Sequence, residues 1–154
     1  MPPRLLVDAD ACPVKDECAR VAARYGVEMW LVADGGIRPS RDPMVRVVIV
    51  PGGADAADDR IVEECRPGDV VVTADIPLAR RVLEIGAAAL GPTGRPFTEE
   101  TIGMAMAMRG LKQQIREETQ TQTRNRGFTN ADRSIFLQAL DRALSAAVRK
   151  GTTP

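Results

Sequence analysis

Residues 4–26, RLLVDADACPVKDECARVAARYG, decide the fold. The apolar run Leu5 to Val7 is too short for a helix and reads as a buried strand. It ends in two aspartates one residue apart, Asp8 and Asp10, and Pro13 then opens a helix. Val14, Cys18, Val21, Ala22 and Tyr25 recur at helical spacing, and Gly26 stops that helix. A second strand, VEMWLVA (27–33), follows at once. The opening is therefore a strand–helix–strand unit, which places its two strands parallel in one sheet.

The same alternation continues downstream. GGIRPSRDP (35–43) is a loop by its glycine and proline content, and VRVVIV (45–50) is a strand. A helix from Ala54 to Cys65, the strand DVVVTA (69–74), a helix PLARRVLEI (77–85) stopped by Gly86, and the strand AAALG (87–91) complete the series. This is an α/β pattern, with a mostly parallel sheet covered on both faces. Beyond Gly91 a helix runs from about Thr98 to Gln114, opened by the hydroxyls and carboxylates of TEET. A polar loop or arm occupies the region near 115–130, and a final helix from Asn130 to Arg149 carries apolar positions for packing on the body or on a second copy. No repeat or internal boundary divides the 154 residues, so one domain is expected.

Composition narrows the chemistry. Lysine plus arginine equals aspartate plus glutamate at 21 each, so only local clustering of charge is informative. The chain has no histidine, which excludes Ser-His-Asp and Cys-His catalysis and histidine ligation of zinc. Cys12, Cys18 and Cys65 lack C-x-x-C spacing and sit in apolar patterns, as reduced thiols of a cytoplasmic protein would. Apolar runs stop far short of the roughly 20 residues of a membrane span, so no membrane partner is expected.

The carboxylates are the remaining chemistry. Ligands of an open parallel sheet gather beyond the carboxyl ends of its strands, where strand order reverses. Asp8 and Asp10 follow the first strand, and Asp75 follows DVVVTA. At 100° per residue Ala54, Ala57, Ile61 and Cys65 form one helical stripe, with Asp58 about 40° from its centre and Asp59 pointing away. No lysine or arginine shares that stripe to pair with Asp58. Two carboxylates about 5 Å apart at an effective dielectric near 20 repel by roughly 3 kcal/mol, which a bound cation would relieve. Oxygen-only ligation selects Mg²⁺ or Mn²⁺. Simpler roles exist for each residue: Asp10 and Asp75 as helix caps, Asp58 bonding backbone amides of its own turn, Asp34 as a turn residue, and Cys12 as a small buried group.

VDADACPVK, DAADDRIV, GDVVVTADIPLA, GPTG and DRSIF resemble, in order and over nearly the whole chain, the YaiI/YqxD family of bacterial proteins of uncharacterised function. That family is in turn similar to PIN domains, metal-dependent ribonucleases built as a three-layer αβα sandwich. The resemblance implies a PIN-like fold in which Asp8 matches the aspartate ending the first strand and Asp10 the small polar position two residues on. Asp58 then matches an Asp-x-x-Ile helix position, and Asp75 a Thr-x-Asp strand end. Two departures stand out: no further acidic residue of a central helix appears between Gly35 and Pro51, and Asp34 stands where the family commonly has asparagine.

The expected activity is phosphodiester hydrolysis of a nucleic acid, single-stranded RNA favoured. Asp8, Asp58 and Asp75 would hold one or two divalent ions, and Asp10 would support those ligands from outside or orient water. Lys15, Arg80 and the helix start after Asp10 would offer positive potential to a phosphate; Arg109, Lys112, Arg116, Arg124 and Arg126 could track a nucleic-acid backbone, with plain solvated charge along the later helix and arm as the default reading. Two rival readings remain. One takes DAD as the nucleophile and acid of a haloacid-dehalogenase phosphatase, with Gly68-Asp69 opening its later motif. The other is a non-catalytic nucleic-acid or protein-binding module. A homo-oligomer through the C-terminal helix is a further expectation.

Overall fold

The computed structural model describes residues 2–9, 13–107 and 129–152. Five parallel strands and one antiparallel strand form a single six-stranded sheet. In chain order the elements are β1 (Arg4–Asp8), α1 (Lys15–Tyr25), β2 (Glu28–Ala33), β3 (Val45–Ile49), α2 (Ala54–Glu64) and β4 (Val70–Val72). Then come α3 (Ile76–Ile85), β5 (Ala88–Leu90), β6 (Pro96–Phe97), α4 (Glu99–Ala107) and a last helix, α5 (Asn130–Thr152). The strands lie in the order β3-β2-β1-β4-β5-β6. The chain thus builds outward from β1 to β3, returns past β1, and continues on its other side. Strand order reverses between β1 and β4.

Side chains of successive strand residues point to opposite faces, and that alternation divides the core in two. On one face Leu5, Val7, Met29, Leu31, Val70 and Val72 meet Val14, Cys18, Val21 and Ala22 of the α1 region and Phe136, Leu140 and Leu144 of α5. On the other, Leu6, Trp30, Val32, Val71 and Ala89 meet Ala57 and Ile61 of α2, Leu78, Ala79 and Val82 of α3, and Ile102 of α4. The result is a three-layer α/β/α sandwich. The apolar stripe of α5 lies on its own body: Phe136, Leu140 and Leu144 are fully buried. No helix among the described residues is long and apolar enough to cross a membrane.

Two elements differ from their sequence reading. β6 was not legible, because two residues beginning with proline carry no strand period; it closes the sheet antiparallel to β5. The helix after β4 starts at Ile76, one residue before the proline. The polar segment near 115–130 and the end of the helix expected to reach Gln114 lie outside the described residues up to 128. So do Asp10, Cys12 and the basic positions from Arg109 to Arg126.

The amino-terminal edge of the sheet is latched by Asp69, which is 1% exposed. It accepts hydrogen bonds from the backbone N–H of Arg4 and of Arg66, each at 2.9 Å, and from Arg4 Nη2 at 3.3 Å. The guanidinium groups of Arg4 and Arg46 lie 5.0 and 4.8 Å from the Trp30 ring centroid. At the other end of the layer α5 grips α1: Arg133 Nη1 donates to Glu17 Oε1 at 2.9 Å and to the Pro13 carbonyl at 3.3 Å, so the last helix braces the turn out of β1.

If α5 is core rather than an appendage, Phe136→Ala will lower unfolding stability by about 3–5 kcal/mol, whereas Ile135→Ala, at a position 55% exposed, will shift it by less than about 0.5 kcal/mol. Urea denaturation followed by circular dichroism reads both.

Candidate functional site

The register of β1 against β4 builds the site. Val7 is level with Val72, so the next residues, Asp8 and Thr73, stand side by side at the carboxyl ends of their strands. By alternation both share the face of Leu6 and Val71, the face covered by α2 and α3. Asp8 is 5% exposed and Thr73 is fully buried. A carboxyl group in such a place needs a donor. Thr73 Oγ1 donates to Asp8 Oδ2 at 2.9 Å, and the same oxygen accepts the backbone N–H of Asp75 at 3.0 Å. One hydroxyl therefore joins the two strand ends.

Asp75 is a helix cap and a member of the acidic rim at once. Its Oδ1 accepts the N–H of Leu78 at 2.9 Å, as an N-cap side chain does. Its charge nevertheless reaches Asp58. Burial, then the charges of Asp8, Asp75 and Asp55, push the Asp58 carboxyl from 3.8 up to about 6, while Arg81 pulls the other way. The structure thus brings Asp8, Asp58 and Asp75 to one end of the sheet, on one face, at the reversal of strand order.

Other predicted residues are placed differently. Lys15 is exposed at the first turn of α1. Arg80 is on the outer side of α3, its Nε 3.6 Å from Glu84, and it lines a groove of about 380 Å³ with Leu83, Glu84, Glu99, Ile102 and Gly103. Arg81, which sequence reasoning passed over, is the α3 cation that acts on Asp58; its Nη1 also pairs with Asp59 at 2.9 Å. Asp34, read from the sequence as a turn residue, also reaches across the sheet edge. Its Oδ1 accepts the N–H of Gly53 at 3.2 Å, tying the end of β2 to the start of α2. Gly53 has φ 92°, ψ −176°, and α2 has no side-chain cap. Asp69 sits at the opposite end of β4 from Asp75, engaged by Arg4 and Arg66, so it brings no second acid to Asp8 as the phosphatase reading requires. Cys18 and Cys65 are buried thiols, and burial pushes Cys65 up to about 11. That thiol is unreactive at neutral pH.

The donor set available to a metal is hard: carboxylate oxygens, with no histidine in the chain. Among the described residues no three His, Cys, Asp or Glu side chains are gathered closely enough to hold an ion between them. The three aspartates form an open rim rather than a cage. Mg²⁺ characteristically keeps several waters and takes only one or two protein carboxylates, so the donor chemistry of an open rim fits it.

A proton on Asp58 is bound more tightly in the folded chain than in the unfolded one. Its contribution to stability is complete below the unfolded value and is lost as pH rises through about 6. For a carboxyl partly open to solvent, the cost above that pH is discounted to about 1 kcal/mol. Asp58→Asn will therefore be more stable than the native chain by about that amount at pH 8, with the difference closing by about pH 4, in urea melts without divalent ions.

Comparison with known proteins gives a consistent picture. The family model described as uncharacterized BCR, YaiI/YqxD family, matches residues 6–146. A UPF0178 protein of Mesorhizobium japonicum is 59% identical over 150 residues, 97% of this chain and 97% of its own length. One from Rhizobium meliloti is 56% identical over 138 residues, 90% of this chain and 94% of its own. One from Parvibaculum lavamentivorans is 51% identical over 146 residues, 95% and 96% respectively. No solved structure matches. The aspartates at the end of β1 and after β4, the acidic face of α2 and the helices that frame them all lie inside the matched span, and the chain belongs to the YaiI/YqxD family of bacterial proteins.

Proposed function

We propose that this protein is a divalent-metal-dependent phosphodiester hydrolase acting on nucleic acid. The observation that carries the reading is the electrostatic coupling of Asp58 to Asp8 and Asp75 where strand order reverses. A domain gains nothing in stability from gathering like charges there, and a small hard cation is what such a rim would accommodate. Single-stranded RNA is the substrate class implied by the resemblance to PIN domains.

Each residue has a definable task in this reading. Asp8, oriented by the Thr73 hydroxyl, would be a ligand from the end of β1. Asp75 keeps one oxygen on the start of α3 and leaves the second for the ion. Asp58 carries no protein hydrogen bond among the described residues and would be the carboxylate most changed by the ion, losing its proton as the cation binds. Bound Mg²⁺ or Mn²⁺ would supply water activation and charge neutralisation at the scissile phosphate. Asp10 would orient water beside Asp8.

Two measurements test the proposal. The purified protein should cleave a fluorescent single-stranded RNA when Mn²⁺ is supplied, and Asp8→Asn should lower the rate at least about 100-fold. No Mn²⁺-dependent cleavage of RNA or DNA, or full activity in Asp8→Asn, would refute it. Mn²⁺ affinity should also fall about tenfold from pH 7.5 to pH 5, because protons compete for Asp58 below about 6. Asp58→Asn should flatten that dependence, as read by calorimetry; a profile unchanged by the substitution would show that the ion does not meet Asp58.

A further inference from the structure

The two edges of the sheet are unequal. One ends in β6, a two-residue strand that opens with proline and so offers little to pair with. The other ends in β3, whose residues Val45, Arg46, Val47, Val48 and Ile49 include no proline and only one charge. That charge is turned away from the edge, since the Arg46 guanidinium lies over Trp30 at 4.8 Å. Proline and very short length, two of the devices that blunt an edge strand, are both absent from β3.

The hydrogen bonds to β2 show which groups of β3 face outward. Met44 O accepts from Met29 N–H and Val50 N–H donates to Ala33 O, each at 2.8 Å. Even-numbered residues therefore turn their peptide groups to β2, and Val47 and Ile49 turn theirs out of the sheet. The connection from β2 to β3, residues 34–44, contains no helix, so it lays none over the outer strand. Val45 and Val47 are only half-buried, and Ile49 is 45% exposed.

We propose that β3 pairs antiparallel with β3 of a second copy, about a two-fold axis beside Val47, to continue the sheet across both subunits. A second copy fits this edge for two reasons. With the axis at Val47, whose N–H and C=O both face out, the two Val47 residues form a hydrogen-bonded pair, and Val45 stands opposite Ile49 on one face. Arg46 stands opposite Val48, which keeps the two arginines apart. Charge is also complementary. Antiparallel pairing lays the start of each β3 beside the end of the other, bringing exposed Arg41 towards exposed Asp55 at the first turn of α2. Neither residue has an ion-pair partner among the described residues. This inference is independent of the hydrolase reading and stands or falls without it.

Sedimentation velocity of the full chain from about 1 to about 300 µM gives the test, a range that suits the modest area of one strand pair. The native chain should pass from one copy to two across it. Val47→Pro, which replaces an N–H not used by β2, should remain folded by circular dichroism and stay a single copy. Arg41→Glu and Asp55→Arg should each weaken association at least about fivefold, and the double exchange should restore it to within about threefold. A native chain that stays single throughout, a folded Val47→Pro chain that still pairs, or a double exchange as weak as either single one overturns the proposal. Should Val47→Pro unfold, the charge exchange decides alone.

Discussion

A carboxyl group buried at the end of a strand must be given a donor, and the level register of β1 with β4 is what provides one. Asp8 and Thr73 meet only because the chain returns from β3 to the far side of β1 and sets Val72 against Val7. A slip of one residue would send Thr73 to the opposite face and leave Asp8 facing apolar side chains. The reversal of strand order, the orientation of Asp8 and the placement of Asp75 are therefore one constraint. Asp58 completes the rim from α2, where burial first, and then the charges of Asp8 and Asp75, raise its pKa.

The contrast between the two ends of β4 separates structural acid from candidate chemical acid. Asp69 is almost wholly buried, and both of its oxygens accept hydrogen bonds from groups on β1 and the preceding turn. Donors and a nearby guanidinium make that carboxylate a latch. Asp58 is only half-buried yet lacks such donors among the described residues, and two neighbouring carboxylates act on it. The same kind of side chain is a fixed joint at one end of the sheet and, among the described residues, lacks hydrogen-bond donors at the other.

Capping and site-building do not compete here. Asp75 caps α3 through one oxygen while its charge bears on Asp58, and Asp34 holds the start of α2 in position beside the rim. Local devices that end strands and begin helices are thus the devices that aim the carboxylates. A strand end followed by a capped helix places side chains more firmly than a long loop would, which is why acids at those positions are positioned rather than merely present.

The sequence by itself determined the strand–helix alternation, the parallel sheet, and the acids at the strand ends, because apolar period and glycine or proline punctuation are local properties. It also put Asp58 near the inner face of α2, since helical geometry relates residues a few positions apart. Only the tertiary structure decided that Thr73 is the hydroxyl serving Asp8, that Arg81 rather than Arg80 acts on Asp58, and that Asp34 reaches across to Gly53. It likewise decided the strand order and the antiparallel β6. Those facts join residues 19 to 65 positions apart, and no periodicity along a chain encodes which strand will lie beside which.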